Sequence, residues 1–275
     1  MLSNAIEAAT SVDGETRTAT LNAESLAELS ADGVVVFPSR VVWDGETVDV
    51  ATYVLDGTVL LPPGAQCRWR GPAGYSVRIM SPNPLAVRLA TDAMGLSFES
   101  LVFSGCGVAL EAPCQNGVRF LNCAFICVKG DFAIRGDLLG DTGPDRVLIR
   151  QCVFEECGVD RQNSFAELPS SDPSGQIAFS FGTGAVWMPR EARGWTIEYC
   201  GFVTCRGVPL RLHGSECTDL DTDFEAIPTK PDLRHEMIAI GSTETVVLSR
   251  LRLGNEPAVP NDVITLVGNG PWPPP

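Results

Sequence analysis

Four stretches of this sequence align without gaps: LSFESLVFSGC (96–106), VRFLNCAFICV (118–128), VLIRQCVFEEC (147–157) and WTIEYCGFVTC (195–205). They share one pattern: apolar, x, apolar, x, x, Cys or Leu, x, Phe, x, x, Cys or Val. A degenerate fifth copy, VVLSRLRL, occupies 246–253. The leading apolar residues alternate with polar ones, as a half-buried strand requires. The break of phase at the Cys or Leu marks a bend into a second strand. Phe103, Phe125, Phe154 and Phe202 recur at one position, so in a coiled chain they stack about 4.8 Å apart, the spacing of neighbouring strands.

A third strand follows each copy. These strands read AVRLA (86–90), GVALEA (107–112), DFAIRG (131–136), AVWMP (185–189), VPLRL (208–212), MIAIG (237–241) and VITLV (263–267). Leu89, Leu110 and Ile134 are 21 and 24 residues apart. A period in the low twenties with three short strands per turn predicts an all-β fold, a right-handed single-stranded parallel β-helix with three sheets. A leucine-rich repeat would show a leucine ladder ending in Asn, and a propeller blade needs about twice this period. Gly117, Gly158, Gly194 and Gly207 punctuate the expected corners.

Organisation follows from the repeat. Residues 1–57 form an N-terminal segment, in which NAESLAELSADG (22–33) reads as a short capping helix with Asn22 as N-cap and Gly33 closing it. The strand GVVVFPS follows. Residues 58–270 form the β-helix, with interruptions at 159–184 and 215–236, and the Pro-rich tail 271–275 places Trp272 over the last turn.

The chain has 275 residues, a formal net charge of -14 and ten cysteines. That charge disfavours nucleic acid and anionic membrane surfaces as partners. The N-terminus lacks a basic region followed by an apolar run, so no secretory signal is expected, and no apolar stretch reaches a membrane span. An intracellular or virion-associated location is the expectation, with cysteines as free thiols packed like small hydrophobes.

The capping helix, VVVFPS, TVLLPPGAQCRWRG (58–71) and the repeats after them resemble the pectate-lyase-like superfamily of right-handed β-helices over roughly residues 20–270. The resemblance implies the architecture. Its members include polysaccharide lyases, glycosidases, phage tailspikes and viral surface proteins, so it leaves activity open. Polygalacturonase-like members carry Asn-Thr-Asp, Asp-Asp, Gly-His-Gly and Arg-Ile-Lys in order, none of which occurs here; the nearest echo is Leu212-His213-Gly214. Lyases of the fold bind calcium through aspartates on one sheet, and no matching cluster falls on these strands. Calcium is therefore the one metal the resemblance raises, and no cofactor signature is present.

Alternation places candidate site residues on the third strands. If Val87, Leu89, Val108, Leu110, Phe132, Ile134, Val186 and Met188 point inward, then Arg88, Glu111, Arg135, Trp187 and Arg211 point outward, with Asp137, Arg190 and His213 just beyond strand ends. Glu111 and Asp137 are the carboxylate pair suited to glycoside hydrolysis, and Arg135, Arg211 and His213 complete the catalytic candidates. Arg88, Trp187 and Arg190 are the ligand-binding candidates, with Trp187 as an exposed platform for sugar stacking. Asp219, Asp221 and Asp223 alternate as in a calcium loop, but the sixth-place glycine is missing, which points to a solvated acidic loop.

Two functions are compatible with these residues. The absence of superfamily motifs places first a non-catalytic surface or structural protein, such as a virion component, contacting glycans or partner subunits. The alternative is a polysaccharide lyase or glycoside hydrolase working in the groove of the third sheet. A homo-oligomer, in particular a trimer, is an expected assembly.

Overall fold

The computed structural model describes residues 6–11, 16–43, 46–74, 76–128, 132–137, 142–158, 184–205, 209–212, 214, 216–220, 223–225, 238–240, 246–250, 252–253, 256–257 and 264–266. The interruption expected at 159–184, apart from Gly184, and Gly207, His213 and Trp272 lie outside the described residues.

The bend in each repeat has a specific cause. Ser100, Asn122, Gln151 and Tyr199 sit between two strands with φ of 55°, 52°, 53° and 53°. One left-handed residue turns the chain sharply and points its successor inward: Leu101, Cys123, Cys152 and Cys200 are all buried. This conformation costs an L-residue about 1–2 kcal/mol. Hydrogen bonds between successive bends offset it: Ser100 N donates to Leu121 O (3.0 Å), Asn122 N to Arg150 O (3.0 Å) and Gln151 N to Glu198 O (2.9 Å).

Three parallel sheets result, and the chain winds through them as a right-handed β-helix. The first sheet has eight strands: Asp32–Val36, Gln66–Arg70, Gly95–Glu99, Val118–Leu121, Val147–Arg150, Thr196–Glu198, Cys217–Leu220 and Val246–Ser249. The third also has eight: Val59–Leu60, Leu85–Leu89, Gly107–Leu110, Ile134–Arg135, Val186–Met188, Leu210–Leu212, Ile238–Ile240 and Ile264–Leu266. Every third strand expected from sequence is present. The second sheet, between them in the chain, carries the phenylalanines on Val102–Ser104, Ala124–Ile126, Val153–Glu155 and Gly201–Val203.

The core is a stack. Phe103, Phe125, Phe154 and Phe202 are in register, with ring centroids 4.9, 5.2 and 4.9 Å apart and planes within 10°. A second column runs Trp69, Phe98, Phe120, Ile149 and Ile197 along the first sheet. The thiols form two further columns that hydrogen-bond backward by one rung. Cys123, Cys152 and Cys200 donate to the carbonyls of Phe98 (3.3 Å), Phe120 (3.5 Å) and Ile149 (3.5 Å). Cys157 and Cys205 donate to those of Phe125 (3.4 Å) and Phe154 (3.2 Å). A cysteine at these corners thus fills the volume of a small hydrophobe and supplies a weak donor. All ten are free, and all but Cys127 are buried.

The N-terminal cover is a helix over Ala23–Leu29, with the Asn22 side chain accepting from Ser25 N at 2.8 Å. Asp56 fastens it through Ala23 N (2.7 Å), and Leu26 enters the core. Ser30 caps the C-terminus and accepts from Trp69 Nε1 at 2.8 Å. Gly33 does not close the helix; it lies within Asp32–Val36 with φ of 131°. Beyond the helix, Thr16–Leu21 and Ile6–Ser11 extend the second sheet. No helix among the described residues is long and apolar enough to cross a membrane.

The segment 215–236 is not a plain interruption. Cys217–Leu220 and Asp223–Glu225 are strands in register with Thr196–Glu198 and Gly201–Val203, so CTDLDTDFE is another copy of the repeat. Asp219 takes the inward place of Ile197 and is 0% exposed, which corrects its reading as part of a solvated acidic loop.

Candidate functional site

The outer face of the third sheet carries the row expected to form a groove. Register places Arg88, Ala109, Arg135, Trp187 and Arg211 side by side. Ala109, not Glu111, occupies the second place. Glu111 falls one residue past the end of Gly107–Leu110, where strict alternation no longer sets its direction.

Glu111 nevertheless joins the row through its side chain. Its Oε2 accepts from Arg88 Nε at 2.6 Å and its Oε1 from Arg135 Nη1 at 2.9 Å. Arg135 Nη1 also donates to the Gly136 carbonyl at 3.1 Å. Both carboxylate oxygens are thus held by guanidiniums from neighbouring rungs, with Arg135 only 8% exposed. Burial of a charge requires such pairing. Arg135 is accordingly a buried clamp and not an outward groove residue.

Trp187 departs furthest from expectation. It leaves the coil between Val186 and Met188, which lie in the core, yet it is only 3% exposed. The Phe132 ring lies against it, with centroids 5.5 Å apart and planes at 42°. Phe132 itself is buried outside the main core cluster, so it does not point into the coil with Ile134. The two aromatics cover one another on the outer wall, and Trp187 offers no face for a sugar.

Asp137 is half-buried, its N–H donating to Thr142 O at 2.7 Å while Thr142 Oγ1 donates to Glu111 O at 3.2 Å. Gly136 and Gly143 pack on Pro189. A Cβ on Gly136 would lie 2.4 Å from the Pro189 ring, and one on Gly143 would lie 2.8 Å from it. Arg190 is exposed beside it. Arg211 is in register in its strand, but its side chain and the whole of His213 lie outside the described residues. The structure therefore brings together Arg88, Glu111 and Arg135, seals Trp187, and leaves Asp137 and Arg190 on the flank.

Six of the buried thiols are held in their protonated form. Burial pushes Cys67, Cys106 and Cys217 up to about 12 and Cys114 up to about 11, far above a reactive thiol. Burial likewise raises Cys152 and Cys157, with neighbouring thiols adding to it. Among the described residues no three His, Cys, Asp or Glu side chains gather as a metal site needs.

Fold and site together define the class: a three-sheet parallel β-helix with an ion-paired, aromatic-sealed outer wall. No family model, no curated protein and no solved structure matches this chain.

Proposed function

We propose that this chain is a non-catalytic β-helix acting as a surface or structural component, on the pattern of virion proteins, and contacting glycans or partner subunits. The observation that supports this most is the state of Glu111. A general acid or nucleophile needs a carboxyl oxygen facing substrate, whereas both oxygens of Glu111 are engaged by Arg88 and Arg135. The sealed Trp187 removes the aromatic platform from the same face. Free thiols are compatible with assembly in a reducing compartment.

The test is a panel of neutral and acidic polysaccharides, followed by reducing-end release and by ultraviolet absorbance of unsaturated uronate. The expected result is glycan or partner binding without product. Turnover that disappears in Glu111→Gln or Asp137→Asn would overturn the proposal in favour of a lyase or glycosidase.

A further inference from the structure

Among the described residues the first sheet ends in an open edge: Asp32–Val36 is its terminal strand and pairs there with Gln66–Arg70 alone. Phe37 N donates to Arg70 O (2.8 Å) and Ala31 O accepts from Gln66 N (3.0 Å). Alternation along a parallel ladder then turns residues 31, 33, 35 and 37 towards that partner and the N–H and C=O of Val34 and Val36 away from it. Among the described residues those groups have no hydrogen-bond partner. The mouths of the other two sheets are treated differently. Two more strands continue the second sheet, and the capping helix lies mainly against Val59–Leu60, with a smaller contact on Asp32–Val36.

The side chains at this edge match its open backbone. Val34 is 59% and Val36 49% exposed, on the outer face. Natural edges are usually blunted by Lys, Pro or a bulge, and the stretch DGVVV (32–36) carries neither Lys nor Pro. Directly behind the valines, in register, stand Arg68 and Arg70. Both are exposed, and they share the single carboxylate of Glu99 at 3.2 and 3.8 Å. Two guanidiniums against one carboxylate leave a positive corner on a chain of net charge -14.

We propose that this edge receives an extended acidic segment of a partner polypeptide as an added strand. The inference rests on the proposed contact with partner subunits and says where that contact lies. Main-chain bonds to Val34 and Val36 supply the pairing, the valine side chains supply apolar contact, and Arg68 and Arg70 select acidic side chains. A second copy of this chain fits less well, because its net charge is the same and its own edge brings one acid, Asp32.

The test uses the full chain and two fluorescein-labelled peptides, TEVEVEVT and TKVKVKVT, read by fluorescence anisotropy at low salt. The acidic peptide is expected to bind and the basic one not to. Val34→Pro removes an N–H that faces away from the sheet and leaves the existing ladder intact, and it is expected to weaken binding at least tenfold with an unchanged thermal melt. Should that variant fold poorly, Val34→Glu with Val36→Glu, which removes the apolar contact and repels an acidic strand, is expected to give the same loss. Arg68→Gln with Arg70→Gln is expected to erase the preference for acid. Equal binding of both peptides, no binding of either, or binding indifferent to these substitutions would overturn the proposal. So would a dimer in sedimentation velocity that Val34→Pro dissolves, since the occupant would then be a second copy. Polysaccharide turnover bears on the non-catalytic reading alone, so the two failures are distinguishable.

Discussion

Removing the Phe125 ring is the sharpest test of how this coil is held together. The ring is 0% exposed and lies between Phe103 and Phe154, at 4.9 and 5.2 Å. Phe→Ala in a core costs about 3–5 kcal/mol through lost transfer energy and the cavity left behind. Each lost stacked pair adds about 0.5–1.5 kcal/mol. The upper neighbours cannot slide into the gap without breaking their own ladders, so Phe125→Ala is expected to cost about 4–8 kcal/mol in urea unfolding. The nearest-neighbour character of the stack is tested by two double-mutant cycles. Phe125 and Phe154 touch, and their coupling is expected at about 0.5–1.5 kcal/mol. Phe103 and Phe202 are separated by the rungs of Phe125 and Phe154, about 14 Å apart at one strand spacing per rung, and their coupling is expected below about 0.5 kcal/mol. A single cost under about 2 kcal/mol, or equal coupling in the two cycles, would refute the stacked column.

Four further outcomes follow from the geometry. Burial raises Cys67, Cys106 and Cys217 to about 12 and Cys114 to about 11 from an ordinary 9; the folded thiols hold protons that unfolded ones release. Their contribution is thus complete below about pH 9 and is lost as pH rises towards 11–12. Denaturant titrations are expected to show steep alkaline destabilisation, and a flat profile to pH 11 would contradict the burial. Iodoacetamide at neutral pH is expected to label Cys127 before any other described cysteine, read by mass spectrometry, because it alone is not buried. Gly117→Ala combines φ of 75° with a Cβ 2.3 Å from Arg146 O, and a loss of about 2–4 kcal/mol in thermal or urea unfolding is expected. Arg135→Ala removes the buried half of the Glu111 clamp; with Arg88 still compensating the charge, a loss of about 2–3 kcal/mol is expected.

The repeat was legible because its key residues are large, apolar and evenly placed: four phenylalanines and their flanking thiols mark four successive rungs whatever else varies. Where a rung uses other residues the reading weakens. Gln66–Arg70 and Arg78–Met80 form a full turn with Trp69 and Ile79 in the column positions, and neither matches the Phe and Cys pattern. Cys217–Leu220 was obscured because Asp219 stands where every other copy has an apolar residue. At the outer wall, alternation gave the side of the sheet but not what lies on that side. It placed Trp187 outside correctly and could not foresee Phe132 covering it. It also ran one residue too far at Glu111, since a strand's period holds only while the strand lasts.

Charge on the walls is arranged to pair between rungs. Glu99 meets Arg68 and Arg70, Glu198 meets Arg150 at 2.7 Å, and Glu111 meets Arg88 and Arg135. The exposed pairs among these are worth only about 0.2–1 kcal/mol each, so their sum does not explain the stability of the coil. Their effect is on register. A slip by one rung would bring unlike neighbours together while the apolar columns, being nearly uniform from rung to rung, would tolerate it. Paired charges therefore supply the specificity that a repetitive core lacks. The same reasoning singles out the first strand: among the described residues Val34 and Val36 have a strand neighbour on one side only, and the two arginines behind them have one glutamate between them. That corner is short of an acid, and the proposed acidic strand would extend both the ladder and the pairing.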